Sequence, residues 1–126
     1  MKILYVEDDL SIASVAKFLF LKTEHHLVFC QTIADAVNVM ARCGQKIDLI
    51  LLDMYLPDGR GVELLKRMKT LGLTTPVIIT TGFYDDHAEE LKPFELSGPI
   101  CKVIHKPFLP ETLLQTLNGL EKSLAV

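Results

Sequence analysis

The sequence predicts an α/β fold in which a five-stranded parallel sheet carries helices on both faces. Five short apolar runs lie at residues 3–6, 27–30, 49–52, 77–79 and 100–104. Segments with the 3.6-residue spacing of amphipathic helices alternate with these runs. The first, third and fourth runs are almost continuously apolar, as expected of strands covered on both sides, whereas the fifth carries a central lysine and suits a sheet edge. This alternation predicts five strand–helix units with right-handed crossovers.

The first two helices are predicted from apolar stripes and from residues that favour a helix start. Asp9 is expected to cap the first helix, and Thr32 begins the second, with Asp35 three residues further on as a relative of the capping box. The stripe of the first helix is Ile12, Val15, Ala16 and Leu19, and that of the second is Ile33, Val37 and Met40.

The other three helices follow the later strands. The third is expected over about residues 61–71, because Gly72 is a good residue to end it. The fourth, about Asp85–Leu96, contains Pro93, which is expected to break or shorten it. The fifth begins with Pro110 at a first-turn position.

Composition restricts the classes of function. The 126 residues suit a single domain, so residues 1–126 are predicted to be one domain with no output domain. The formal charge of −3 and the lack of a basic block argue against direct nucleic-acid binding. The longest apolar runs are too short to span a membrane, and no signal peptide is evident. Three widely spaced cysteines suggest reduced thiols, so a cytoplasmic location is expected.

Polar residues follow four of the five predicted strands, at the sheet edge where such folds bind ligands. Glu7, Asp8 and Asp9 follow the first strand, and Asp53 follows the third. Thr80 and Thr81 follow the fourth strand, and Lys106 follows the fifth.

The carboxylates of Glu7, Asp8 and Asp53 are expected to lie close together. Two carboxylates about 4 Å apart repel by about 4 kcal/mol at an effective dielectric constant of about 20, so a hard divalent cation is expected between them. Oxygen ligands favour Mg²⁺, Mn²⁺ or Ca²⁺, and the small number of protein ligands suits Mg²⁺. Lys106 and Thr81 would add a cation and a hydroxyl, which makes a receptor for phosphoryl oxygens around Asp53 as nucleophile.

At this point four segments together resemble the receiver domain of two-component response regulators, of the chemotaxis single-domain type. They are Ile3–Asp9, Asp53–Gly61, Pro76–Gly82 and Lys106–Phe108, and the resemblance covers essentially the whole chain. It implies the flavodoxin-like, doubly wound fold with strand order 2-1-3-4-5. It also implies a phosphorelay function, in which a histidine kinase or phosphotransfer protein gives its phosphoryl group to the receiver.

The resemblance assigns a role to each site residue. Asp53 is the implied phospho-acceptor, and Glu7, Asp8, Asp53 and the backbone carbonyl of Tyr55 are the implied Mg²⁺ ligands, with Mn²⁺ as a substitute. Lys106 would contact the phosphoryl group, and Thr81 would be the switch hydroxyl. The Lys106–Pro107 bond is typically cis in this family.

The implied protein is a signalling switch that catalyses its own phosphorylation and dephosphorylation, and not a metabolic enzyme. Phosphorylation would change the surface presented to an unknown downstream protein or to an effector domain outside this chain. The sequence is compatible with a homodimer.

The sequence departs from the family pattern in three places. Val103 stands where an aromatic residue usually couples to the switch hydroxyl, so output is expected to pass through the loop after the fourth strand and the fourth helix. Segment 93–105 is one residue longer than is common. Tyr55 and Phe83 flank the expected phosphate and are predicted to shield it from water.

Three alternatives remain at this stage. A degenerate receiver would bind proteins independently of phosphorylation. A flavodoxin-type redox module is disfavoured because the acidic first loop would repel a flavin phosphate. A Mg²⁺-dependent phosphatase with an aspartyl nucleophile would normally carry an acid two residues after it, where this chain has Tyr55.

Overall fold

The computed structural model of the protein describes residues 1–43, 46–82, 84–96 and 98–124. In chain order its elements are β1 (Lys2–Val6), α1 (Leu10–Phe20), β2 (His26–Cys30), α2 (Ile33–Cys43), β3 (Leu49–Asp53), β4 (Tyr55–Leu56), β5 (Gly59–Arg60), α3 (Gly61–Thr70), β6 (Val77–Thr81), α4 (Tyr84–Leu96), β7 (Ile100–His105) and α5 (Pro110–Leu124).

The main sheet has five parallel strands in the order β2-β1-β3-β6-β7. Since β6 and β7 are the fourth and fifth predicted strands, this arrangement confirms the predicted order 2-1-3-4-5. Strand β7 lies at an edge, as its central lysine indicated. The short antiparallel hairpin of β4 and β5 was not predicted, because its two-residue strands carry no periodic signal.

Helices cover both faces of the sheet and enclose two apolar cores. Helices α1 and α5 cover one core, which contains Ile3, Tyr5, Ala16, Phe20, Leu49, Leu51, Ile78, Ile104, Leu113 and Leu117. Helices α2, α3 and α4 cover the other, whose members include Leu4, Val6, Met40, Ile50, Leu52, Leu64, Leu65, Met68, Ile79 and Leu91. All five residues of β3 and of β6 are buried, which accounts for the continuous apolar runs.

Helix α4 corrects one prediction, since it continues through Pro93 to Leu96. Proline lacks an amide hydrogen and so removes one hydrogen bond to the preceding turn. Pro93 lies in the last turn of α4, where few further helical hydrogen bonds depend on it.

Segment 93–105, predicted to be one residue longer than is common, contains an irregularity in strand β7. Val77 pairs with Ile100, but the next residue, Ile78, pairs with Lys102. Cys101 is therefore an unpaired bulge residue, and its Sγ donates a hydrogen bond to the Val77 carbonyl oxygen at 3.4 Å. After the bulge the later residues of β7 pair with β6 in continuous register.

Candidate functional site

Three acidic side chains meet at the carboxyl edge of the sheet. Glu7 directly follows β1, and Asp53 is the last residue of its neighbour β3, so the pairing of these strands brings the two side chains together. Glu7, Asp8 and Asp53 each offer a carboxylate oxygen, and these atoms all lie within 4.8 Å of one another. Glu7 and Asp53 are buried, whereas Asp8 is exposed and leaves the cluster open to solvent.

Lys106 connects two of these carboxylates. Its ammonium donates hydrogen bonds to Glu7 Oε1 at 2.8 Å and to Asp53 Oδ2 at 3.0 Å. The lysine is positioned at the end of β7, where its backbone N–H donates to the Thr81 carbonyl at 2.9 Å. One cation thus faces three acidic groups, and the cluster keeps an excess of negative charge.

The pKa of Glu7 is raised because its carboxylate is buried next to Asp53. Burial, followed by the hydrogen bond to Asp53, raises the pKa of Glu7 to about 7, although Lys106 acts in the opposite direction. Burial alone would lower the pKa of Lys106, but its bonds to Glu7 and Asp53 outweigh that effect and raise it. The carboxylates therefore need more positive charge than Lys106 supplies.

A metal ion fits this donor set. The three acidic side chains offer only oxygen atoms, and few of them, which suits Mg²⁺ because it retains several water ligands. The exposed carboxylate of Asp8 provides the side from which a hydrated ion can enter. Asp9, the fourth acid, instead caps α1, where its Oδ1 accepts hydrogen bonds from the N–H groups of Ser11 at 2.9 Å and Ile12 at 3.3 Å.

The two threonines at the end of β6 are both buried but face opposite sides of the strand. Thr80 pairs with Asp53 in the sheet, and Thr81 pairs with His105, the residue before Lys106. Val103 pairs with Ile79 and is partly buried against the core beneath α2, α3 and α4. The pairing of β6 with β7 thus places the backbone of Thr81 next to Lys106, the lysine that contacts Asp53.

The β4–β5 hairpin holds the loop after Asp53 against the site. The Tyr55 N–H lies 3.5 Å from Asp53 Oδ1, and the Gly61 N–H donates to the Met54 carbonyl at 2.8 Å. A Cβ atom at Gly61 would lie 2.7 Å from the backbone oxygen of Asp53, so this position requires glycine. Gly59 and Gly61 in the sequence indicate a turn at this point, but they do not identify the contact with Asp53.

Three further predicted features concern the loops around the site. The Lys106–Pro107 peptide bond is cis. Tyr55 is partly exposed beside the site. Phe83, the second predicted shielding residue, lies outside the described residues.

Comparisons with known proteins place this geometry in a family. The family model described as the response regulator receiver domain matches residues 3–118. The chain is 32% identical to the swarming motility regulation protein RssB of Serratia marcescens over 125 residues, which cover 99% of this chain and 55% of that protein. It is 36% identical to the transcriptional regulatory protein CiaR of Streptococcus pneumoniae over 133 residues, covering 97% and 52%. The chain thus spans about half the length of these curated relatives.

A solved structure shows the same fold. The receiver domain of the Francisella response regulator 1452 superposes with a TM-score of 0.81 and 26% identity, covering 98% of each chain. The fold and site define a signalling domain of the two-component type, and the chain belongs to the response regulator receiver family. Receiver domains generally bind Mg²⁺ through an acidic cluster and interact with histidine kinases or phosphotransfer proteins.

Proposed function

We propose that this protein accepts a phosphoryl group on Asp53 from the phosphohistidine of a histidine kinase or phosphotransfer protein, in a Mg²⁺-dependent reaction. The observation that carries this proposal is the Lys106 ammonium bound to both Asp53 and Glu7 within a cluster of three carboxylates. A purely structural lysine would not require the buried, mutually repelling acids that surround it.

In this proposal Glu7, Asp8, Asp53 and the backbone carbonyl of Tyr55 hold the metal ion. When bound, Mg²⁺, or Mn²⁺ in its place, neutralises charge on the carboxylates and on the transferring phosphoryl group. The proposed donors directly follow β1, end β3 and begin the hairpin after Asp53, and their nearness at this edge of the sheet supports the assignment.

In the transfer step the Asp53 carboxylate is the nucleophile and supplies a lone pair of one of its oxygens. One carboxylate oxygen attacks phosphorus in line, and the P–N bond breaks with its electron pair remaining on the imidazole nitrogen of the donor. Lys106 moves from Asp53 Oδ2 to an oxygen of the phosphoryl group, and the Thr81 hydroxyl donates to another. Hydrolysis of the resulting acyl phosphate returns Asp53 to its free form.

The output of this switch would pass through the β6–α4 loop and helix α4. Val103 is a β-branched aliphatic residue, partly buried against the core, and cannot make the large rotation available to an aromatic side chain. Comparing structures with and without beryllofluoride as a phosphoryl mimic tests this route. Displacement of α4 is expected, and an unchanged β6–α4 loop and α4 would refute it.

In this proposal the receiver domain acts as a cytoplasmic signalling switch and not as a metabolic enzyme. Phosphorylation would alter its contacts with a downstream protein or an effector domain. RssB and CiaR, of which this chain covers only 55% and 52%, are long enough to carry such an effector domain in addition to a receiver. No helix in the described ranges is both long and apolar enough to cross a membrane.

Incubation with acetyl phosphate and Mg²⁺, followed by intact mass spectrometry, tests the proposed function. A labile adduct of one phosphoryl group is expected on the wild type, and chelation of Mg²⁺ or the substitution Asp53→Ala should abolish it. Asp35→Ala, at an exposed acid on α2, is the matched control and should still be labelled. No adduct on the wild type would favour the degenerate, phosphorylation-independent receiver.

A further inference from the structure

An ion pair joins the loop after Asp53 to helix α4. Nη1 of the Arg60 guanidinium lies 2.8 Å from Oε1 of the Glu90 carboxylate. Arg60 is the last residue of β5, and Glu90 lies near the middle of α4, so the pair connects two different elements. The pair formed by Glu89 and Lys92, by contrast, lies entirely within α4, at 3.6 Å.

The Arg60 end of this pair is attached to the candidate site through short backbone contacts. Arg60 pairs with Tyr55 in the β4–β5 hairpin, and the Tyr55 carbonyl is a proposed metal ligand. The next residue, Gly61, donates its N–H to the Met54 carbonyl at 2.8 Å and leaves no room for a Cβ atom beside the backbone oxygen of Asp53. A movement of the loop after Asp53 is therefore expected to move the backbone of Arg60 as well.

The Glu90 end lies on the helix through which the output is proposed to pass. Glu90 precedes Leu91, which is completely buried in the core covered by α2, α3 and α4. The carboxylate of Glu90 therefore lies at the border of the packed face of α4. A displacement of α4 relative to the hairpin would separate the two charged groups, and an ion pair is lost once they are more than about 4 Å apart.

We propose that the Arg60–Glu90 ion pair is a latch that holds α4 in its unphosphorylated position and opens on phosphorylation, a role that rests on the proposed phosphorylation of Asp53 and specifies how it reaches α4. The two side chains are 44% and 38% exposed, so the pair contributes modestly and can open without unfolding. An interaction present only in the unphosphorylated state lowers the affinity of the protein for a phosphoryl mimic, because that interaction is lost when the mimic binds.

Binding of beryllofluoride at saturating Mg²⁺, measured by isothermal titration calorimetry, tests the latch. Arg60→Gln and Glu90→Gln should each raise the affinity about threefold, a change typical of one exposed ion pair. The double variant should raise it by the same factor and not by the product, because either substitution alone opens the latch. A purely electrostatic effect on the bound anion would instead change the affinities of the two single variants in opposite directions, since they remove opposite charges.

Exchange of the two charges gives a second test of the same contact. Arg60→Glu and Glu90→Arg should each open the latch and raise the affinity for beryllofluoride, whereas the two substitutions together should restore the affinity of the wild type. Glu89→Gln is the matched control for Glu90→Gln. It removes the same charge one residue away, from a pair that lies within α4, and should leave the affinity unchanged.

Hydrogen exchange measures the release of α4 in the unphosphorylated protein. The backbone amides of α4 should exchange faster in Arg60→Gln and in Glu90→Gln than in the wild type, and Glu89→Gln should exchange as the wild type does. Single variants that bind beryllofluoride with the affinity of the wild type, or whose affinities change in opposite directions, overturn the latch and leave the proposed function intact. A wild type that binds no beryllofluoride overturns both.

Discussion

Lys106 shows how one side chain can serve two states of the same site. Without further cations its ammonium binds Glu7 and Asp53 and offsets part of their repulsion. In the proposed phosphorylated state the same ammonium contacts a phosphoryl oxygen. The flexible four-carbon stem of lysine allows both contacts from one backbone position.

Replacement of Lys106 by alanine should slow phosphorylation of Asp53 by acetyl phosphate by about 100-fold, because a cation that stabilises the developing charge is lost. The rate can be followed by intact mass spectrometry under saturating Mg²⁺. Lys102→Ala, at an exposed lysine of the same strand, is the control and should leave the rate unchanged. Equal rates for both variants and the wild type would contradict the role of Lys106.

Gly61 is a second position at which one residue determines the site. Gly61→Ala should lower the free energy of unfolding by about 1–3 kcal/mol, because the new methyl group would meet the backbone oxygen of Asp53. It should also slow phosphorylation, because the loop that follows Asp53 must move. Urea denaturation and the acetyl phosphate assay measure the two effects.

Gly119→Ala is the matched control for Gly61→Ala. Gly119 lies within α5, and a Cβ there would meet nothing within 4 Å. Alanine should therefore stabilise the protein by about 0.5–1 kcal/mol through its higher helix propensity. A Gly61→Ala variant as stable as the wild type would show that the close approach to Asp53 is easily relieved.

At the residue scale the sequence was sufficient for the acidic cluster and for Lys106. Parallel strands end at one edge, so residues that follow different strands meet there without knowledge of the loops. The packing of Gly61 on Asp53 was not predictable in the same way, because it depends on the path of the hairpin. A glycine in a turn indicates that the backbone there can adopt unusual conformations or approach another group closely, but it does not identify that group.

Helix α2 depends on a residue from another element. Its first N–H groups, those of Ile33 and Ala34, donate to the two carboxylate oxygens of Asp58 in the β4–β5 hairpin at 2.9 and 3.0 Å. The predicted cap, Thr32, accepts a hydrogen bond only from the Asp35 N–H, at 3.1 Å. These bonds link the segment after the candidate acceptor to α2.

Asp58→Ala should lower the free energy of unfolding by about 1 kcal/mol at pH 7, the usual effect of losing a helix cap. The N–H groups of Ile33 and Ala34 hold the pKa of Asp58 below its ordinary value. The stabilisation is therefore present above the unfolded-state pKa of about 3.9 and is lost as the pH falls through the folded-state pKa. Urea denaturation from pH 7 to pH 3 should show the difference from the wild type shrinking at the acidic end.

Thr32→Ala provides the control for this pH dependence. It removes a cap of the same helix, but a hydroxyl does not titrate in this range, so its destabilisation should stay constant with pH. If the two variants show the same pH profile, the charge of Asp58 does not contribute to the cap.

The elements were predictable where a hydrophobic period defined them. The five strands of the main sheet and the five helices follow from short apolar runs that alternate with segments in which apolar residues recur at a 3.6-residue spacing. The prediction that Pro93 breaks or shortens α4 was wrong, because a proline in the last turn removes only one helical hydrogen bond. The sequence alone does not show where that last turn ends. The β4–β5 hairpin was not predicted, because strands of two residues are too short to show an alternation of apolar and polar residues.

At the scale of the whole molecule, folding itself assembles the proposed metal site. Glu7 and Asp53 are far apart in sequence, and the pairing of β1 with β3 brings them together. A ligand that binds only the folded state stabilises it by mass action. Mg²⁺ at about ten times its dissociation constant should therefore raise the free energy of unfolding by about 1.4 kcal/mol.

Asp8→Asn should reduce this stabilisation, because it removes a proposed metal ligand. Asp9→Asn is the matched control, since asparagine caps a helix as well as aspartate does and Asp9 is not a proposed ligand. Urea denaturation of both variants with and without Mg²⁺ gives the comparison. Equal stabilisation of the two variants would exclude Asp8 from the site.

The central claim is that Asp53 itself becomes an acyl phosphate, and borohydride trapping tests this most directly. The protein is treated with acetyl phosphate and Mg²⁺, reduced with sodium borohydride, digested and sequenced by mass spectrometry. Borohydride converts a phosphorylated aspartate to homoserine and leaves a free aspartate unchanged. Homoserine at position 53, absent when Mg²⁺ is chelated, is the predicted result. An unmodified Asp53, or homoserine at another aspartate, would contradict the account.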